Sequence, residues 1–151
     1  MKIAVTGKGG TGKTSVTAGL AFISRNSGRK VFAIDADPDA NLATALGFEA
    51  KNRPEPISEM KKIILERTGE VGAFFKLNPK VDDIPDRFSK EINNIKLIEM
   101  GTVKKGGAGC VCPESAFLKA LLSHIFLNRY EDIFIDMEAG IEHLGRGTAQ
   151  S

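Results

Sequence analysis

Gly7-Lys8-Gly9-Gly10-Thr11-Gly12-Lys13-Thr14 is a run whose residue types suit one task, wrapping backbone around phosphate. Its four glycines let successive N–H groups turn toward an anion with no Cβ in the way. The spacing satisfies G-x-x-x-x-G-K-[ST], with Gly7, Gly12, Lys13 and Thr14 in the fixed positions. In that pattern Lys13 reaches the β- and γ-phosphates and the Thr14 hydroxyl holds Mg²⁺. A glycine-rich turn with no ligand is the competing reading, and the flanks weigh against it. Lys2-Ile3-Ala4-Val5 reads as a short buried strand. Thr14 to Asn26 has helical spacing, with Val16, Leu20 and Ile23 on one stripe and Gly28 as a stop. The motif needs a strand before it and a helix N-terminus after it, whose partial positive charge also favours phosphate.

Two further clusters carry chemistry. Ile133-Phe134-Ile135-Asp136 is an apolar strand ending in an acid, placed to hold the Mg²⁺ shell opposite Thr14. Alone this is a weak signal, and a plain strand-end aspartate explains it too. The upstream phosphate loop makes it a good one. Cys110-Val111-Cys112 puts two thiols on the same side of an extended segment, within reach of one metal. Pro113 suits the first position of a helix, which makes Cys112 its N-cap and favours the thiolate. Two ligands do not close a tetrahedral site, and a second copy about a twofold axis supplies the other two. Two ordinary buried cysteines are the alternative. The four glycines in residues 101–109 and the helix cap favour exposure.

These groups need elements to position them. Val31 to Asp35 reads as a second strand entering Asp35-Ala36-Asp37-Pro38-Asp39-Ala40-Asn41, and a helix begins at Asn41 and runs to Leu46. Pro54 and Pro56 mark a surface loop, and Ser58 suits the cap of a helix from Glu59 to Thr68 with Met60, Ile63 and Ile64 inward. Residues 69–90 are mixed and read as an insertion on the sheet rim. Lys96–Met100 and Asp132–Asp136 complete the strands, with an apolar helix from Pro113 to Asn128 between them. Strands alternating with helices imply parallel βαβ units with helices on both faces, an α/β P-loop fold in one domain over residues 1–151. Ligands bind such sheets at the carboxyl ends of the strands, where Asp35, Asp37 and Asp136 fall.

Composition excludes several classes. The chain has 151 residues and a net charge of +2, so no strong pull toward nucleic acid is implied. No apolar run is long enough to span a bilayer, so no membrane partner is expected. The sequence runs straight into a strand, and a cytoplasmic location is the expectation. Cys110 and Cys112 are too close for a useful disulfide, which leaves metal or redox chemistry. His124 lies on the apolar helix and His143 beyond the last strand; neither has metal-ligand spacing to the cysteines.

Lys8, in K-G-G-x-G-K-T, resembles the deviant phosphate loop of the MinD/ParA class of ATPases. That resemblance implies Lys8, Lys13 and Asp37 as the catalytic set. Lys8 would reach across an ATP-bound homodimer, and Asp37 of Asp37-Pro38 would orient the attacking water. Asn41 would be a second polar residue near the magnesium shell. The nucleotide-binding set would be Gly9, Gly10, Thr11, Gly12, Lys13, Thr14 and Ser15, joined by Gly140, with Mg²⁺ held by Thr14 and Asp136. Gly106-Gly107, Cys110-x-Cys112, Asp136-Met137-Glu138-Ala139-Gly140-Ile141-Glu142-His143 and Gly147-Thr148-Ala149 further resemble the CooC family, along with Leu77 to Asp82 and Met100 to Gly107. These are accessory ATPases that help insert nickel into carbon monoxide dehydrogenase and related acetyl-CoA synthase enzymes. The resemblance implies Ni²⁺ or Zn²⁺ bound between subunits by Cys110 and Cys112 of each, with the dehydrogenase or synthase as metal acceptor. Members are about 250 residues long, the size of a large single α/β domain. The expectation is therefore a C-terminally truncated chain lacking later strands. The competing readings are a positioning or partition ATPase of the MinD/ParA class, an iron–sulfur electron-transfer ATPase and a fragment with no activity. The first needs an amphipathic tail or basic surface, and neither is visible. The second needs four thiolates across a dimer, but in the nitrogenase iron protein the cysteines are well separated.

Overall fold

The computed structural model describes residues 1–69, 76–102, 113–127 and 132–138. Strand β1 (Lys2–Val5) leads through the glycine loop into α1 (Lys13–Asn26), then β2 (Val31–Ala36) and the short α2 (Leu42–Ala45). After two 3₁₀ turns come α3 (Lys61–Thr68), α4 (Ile84–Phe88), β3 (Lys90–Ile92), β4 (Ile95–Glu99), α5 (Pro113–Leu127) and β5 (Asp132–Met137). The sheet order is β1-β5-β2-β4-β3, parallel throughout except for the antiparallel pair β3–β4.

Alternation along the strands sorts the core into two layers. Phe32, Ile34, Ile98, Ile133 and Ile135 face one side and pack with Ile57, Ile64, Ile84, Phe117, Leu121 and Ile125. Val31, Ala33, Ile95, Leu97 and Phe134 face the other and pack with Ala18, Ala21, Leu42, Ala43 and Leu46. Helices α3, α4 and α5 thus cover one face and α1 and α2 the other, as expected of a parallel α/β sheet.

Several local expectations need correction. The buried face of α1 is Thr17, Ala18, Ala21 and Ser24, not the Val16–Leu20–Ile23 stripe. Val16 and Ile23 are 51% and 66% exposed, and Leu20 lies at the edge of the core. Small side chains win the inner face because they let the helix lie close on the sheet. Ser58 caps no helix: it lies in the 3₁₀ turn Ile57–Glu59, its N–H donating to Met100 O at 3.0 Å, and α3 starts after Met60. The rim segment 69–90, read as an insertion, holds α4 and leads into β3. Arg67 and Arg87 pin it by pairing with Asp83, whose carboxyl falls to about 2 because both guanidinium groups donate to it. Residues 70–75 of that segment lie outside the described residues. Among the described residues no helix is long and apolar enough to cross a membrane.

Candidate functional site

The glycine loop is closed on itself before α1 begins. Thr11 donates both its N–H (3.3 Å) and its hydroxyl (2.8 Å) to Lys8 O. Gly10 and Gly12 take left-handed φ values of 80° and 84°, which a side chain would resist. Gly12 is the N-cap of α1 and has no side chain to cap with, so the first N–H groups of the helix are left for a ligand. Lys8, Gly9, Gly10 and Ser15 are exposed, with Thr11 and Gly12 beside them.

Four of the expected residues converge beside this loop, in two pairs. Thr14 Oγ1 donates to Asp136 Oδ2 at 2.6 Å. Lys13 Nζ lies 3.6 Å from Asp37 Oδ2, with both side chains largely covered. Asp136 is fully buried, and its Oδ1 has no hydrogen-bond partner among the described residues. Burial pushes the Asp136 carboxyl up; the Thr14 hydrogen bond opposes, Asp37 adds to the rise and Lys13 opposes it. A buried, unpaired carboxylate oxygen next to a hydroxyl is a hard-oxygen donor set, which fits Mg²⁺.

The strand register extends the site sideways. Asp136 on β5 pairs with Asp35 on β2, which pairs with Glu99 on β4. Partners in a parallel register share a face, so three buried acids stand in one row at the carboxyl end of the sheet. Asp35 was read only as one of several acids at a strand end, and the structure gives it a larger part. Its Oδ1 accepts the Asp37 N–H at 3.2 Å and its Oδ2 the Leu42 N–H at 2.9 Å. Burial pushes the Asp35 carboxyl up to about 7 against those two bonds, with Asp136 and Glu99 adding to the rise. Glu99 went unremarked in the sequence. Burial raises its carboxyl too, Arg53 opposing and Glu59 adding, and its Oε1 is unpaired among the described residues. The available signal was that three apolar strands each end in an acid.

Asn41 forms the N-cap of α2 with no side-chain cap bond and is exposed. Asp39 is a turn residue whose N–H donates to Asp37 Oδ1 at 3.0 Å. Cys110, Cys112, Gly140 and His143 lie outside the described residues. Among the described residues no three His, Cys, Asp or Glu side chains cluster to hold a metal ion.

Residues 2–149 match the family model described as the CobQ/CobB/MinD/ParA nucleotide binding domain. The carbon monoxide dehydrogenase accessory protein CooC of Rhodospirillum rubrum is 53% identical, over all of this chain and 59% of its own length. An uncharacterised ATP-binding protein of Methanocaldococcus jannaschii is 49% identical over 98% of this chain and 58% of its own length. The chain thus spans somewhat under three-fifths of these relatives. By its matched domain, its parallel sheet and its loop-to-helix phosphate site, this chain belongs to the CobQ/CobB/MinD/ParA nucleotide-binding domain family.

Proposed function

We propose that this chain is the nucleotide-binding part of an ATP-dependent accessory protein that delivers nickel to a carbon monoxide dehydrogenase or acetyl-CoA synthase. The observation that carries the ATPase half is the meeting of Thr14, Asp136, Lys13 and Asp37 at the mouth of the glycine loop. The likeness to CooC supports the delivery half.

The backbone N–H groups of residues 9–15 hold the β- and γ-phosphates at the start of α1. Lys13, paired with Asp37 in the ligand-free chain, is the lysine that the loop pattern brings to the phosphates. Phosphate oxygens compete for the Lys13 ammonium, which frees the Asp37 carboxylate to orient a water for in-line attack on the γ-phosphorus. Thr14 and Asp136 would hold Mg²⁺, which supplies charge neutralisation on the phosphates when bound. Lys8 is exposed at the loop tip, where it can reach the nucleotide of a second copy in a homodimer. The metal cargo, Ni²⁺ or Zn²⁺, would bind between the two copies through Cys110 and Cys112 of each. ATP-driven closure would assemble those four thiolates, and hydrolysis would loosen them for transfer.

The test is anaerobic metal binding followed by native mass, with and without Mg-ATP. One nickel per dimer is expected, lost in Cys110→Ser or Cys112→Ser while nucleotide affinity stays within about threefold, since neither cysteine belongs to the phosphate-loop pattern. ATP hydrolysis with no metal bound under any condition contradicts the delivery role.

A further inference from the structure

Asp35 sits outside the phosphate loop, yet it holds together the segment that carries Asp37. Its two carboxylate oxygens serve different partners, Oδ1 the Asp37 N–H and Oδ2 the Leu42 N–H. Leu42 is the first residue of α2 and is buried on the α1 side of the sheet. One side chain therefore ties both ends of the loop 37–42 to the end of β2. Inside that loop the turn is tight: Ala40 N–H donates to Asp37 O at 3.0 Å, and Ala40 takes a left-handed φ of 46°. Such a conformation is unfavourable for alanine and persists only where its surroundings enforce it.

The carboxylate is not replaceable by an amide here. Asparagine offers one oxygen, and its NH₂ would face one of the two N–H donors. Retaining a third buried acid beside Asp136 and Glu99 is unfavourable for the fold by itself. That arrangement makes sense where the geometry it enforces matters. The enforced turn begins at Asp37, whose carboxylate lies 3.6 Å from Lys13.

We propose that Asp35 is a positioning residue for ATP hydrolysis, holding the backbone that carries the Asp37 carboxylate at the mouth of the phosphate loop by stapling loop 37–42 at both ends. The proposal rests on the ATPase reading above, and the test separates the two. In the unmodified chain the Asp37 and Leu42 amides should show hydrogen-exchange protection of about tenfold or more over free-peptide rates, the worth of one such bond. In Asp35→Asn that protection should collapse while the amides of Val31–Ile34 stay protected. Steady-state hydrolysis should fall about tenfold or more in kcat with KM for ATP within about threefold, since the phosphate loop is untouched. Combining Asp35→Asn with Asp37→Ala should cost no more than Asp37→Ala alone, because the two act through one group. Unprotected Asp37 and Leu42 amides in the unmodified chain overturn the staple, and that reading needs no variant to fold. Normal kcat in Asp35→Asn, or losses that add in the double variant, overturns the positioning role. An unmodified chain that binds but never hydrolyses ATP contradicts the ATPase reading, and the exchange result still decides the staple.

Discussion

Strand β5 carries a buried aspartate at each end, and the two live in opposite conditions. Both point to the α1 side of the sheet, and α1 reaches each with a hydroxyl. Ser24 donates to Asp132 near the helix's C-terminal end, and Thr14 donates to Asp136 in its first turn. Ten helical residues and four strand residues both span roughly 13–15 Å, so one helix meets both acids. At Asp132 every oxygen is engaged: Arg29 donates from Nε at 2.8 Å and from a terminal nitrogen at 2.9 Å, and the Met1 ammonium closes the set. Burial alone would raise the Asp132 carboxyl, but the Met1, Ser24 and Arg29 donors outweigh it and hold it at about 2. At Asp136 one oxygen is unpaired among the described residues and the carboxyl is pushed up. The same residue type on the same strand is a fastener at the amino end and, at the carboxyl end, carries an oxygen that nothing among the described residues satisfies. An unsatisfied buried oxygen is tolerated where a ligand completes it.

The strongest way to break this contrast is at the carboxyl end. Lys13→Ala should lower ATP hydrolysis by about 100-fold or more, read in a steady-state phosphate-release assay, since it removes the cation that would offset the charge of the transferred phosphoryl group. Next is the pair of amide substitutions. Asp132→Asn should cost about 3 kcal/mol in urea unfolding, because Arg29 and the Met1 ammonium lose their counter-charge. Asp136→Asn should leave the ligand-free fold as stable or more so, since it removes a charge that burial already disfavours. Gly101→Ala should cost about 2 kcal/mol. Gly101 has φ 73°, and an added Cβ would run into Ser58 Oγ and lie 2.9 Å from Pro56 Cβ.

Acid titration sharpens the contrast further. Asp132 is held below its ordinary value, so its contribution is present above 3.8 and is lost as pH falls toward 2. Asp35 is raised from 3.8 to about 7, so the folded chain keeps a proton that the unfolded chain has lost, and stability falls as pH rises through that window. Urea midpoints of the ligand-free chain should therefore peak near pH ~4 and decline on both sides. A midpoint flat from pH 4 to pH 7 contradicts the Asp35 half. The smallest effect should come from the solvent face of α1. Ile23→Ser should change stability by no more than about 0.5 kcal/mol, because that side chain lies largely in water.

The parts legible in the sequence are those fixed by local pattern. The phosphate loop is a spacing rule, and the strands ending at Asp35 and Asp136 are apolar runs, so the layered α/β fold and the Thr14–Asp136 meeting followed. Register is not local. Nothing in Ile95–Glu99 alone says that Glu99 stands beside Asp35, and the row of three acids appears only when β4 pairs with β2. The inner face of α1 was misread for a related reason. Val16 and Ile23 match a hydrophobic stripe, but close approach to the sheet selects Ala18, Ala21 and Ser24. The edge strand β3 is three residues of mixed polarity and carries no alternation to read.

The most direct test of the central claim is calorimetric binding of Mg²⁺ with a slowly hydrolysed ATP analogue to the unmodified chain, Asp136→Asn and Asp132→Asn. Tight Mg²⁺-dependent binding is expected in the unmodified chain and in folded Asp132→Asn, with the Mg²⁺ dependence lost in Asp136→Asn. Equal Mg²⁺ dependence in Asp136→Asn and the unmodified chain would contradict it.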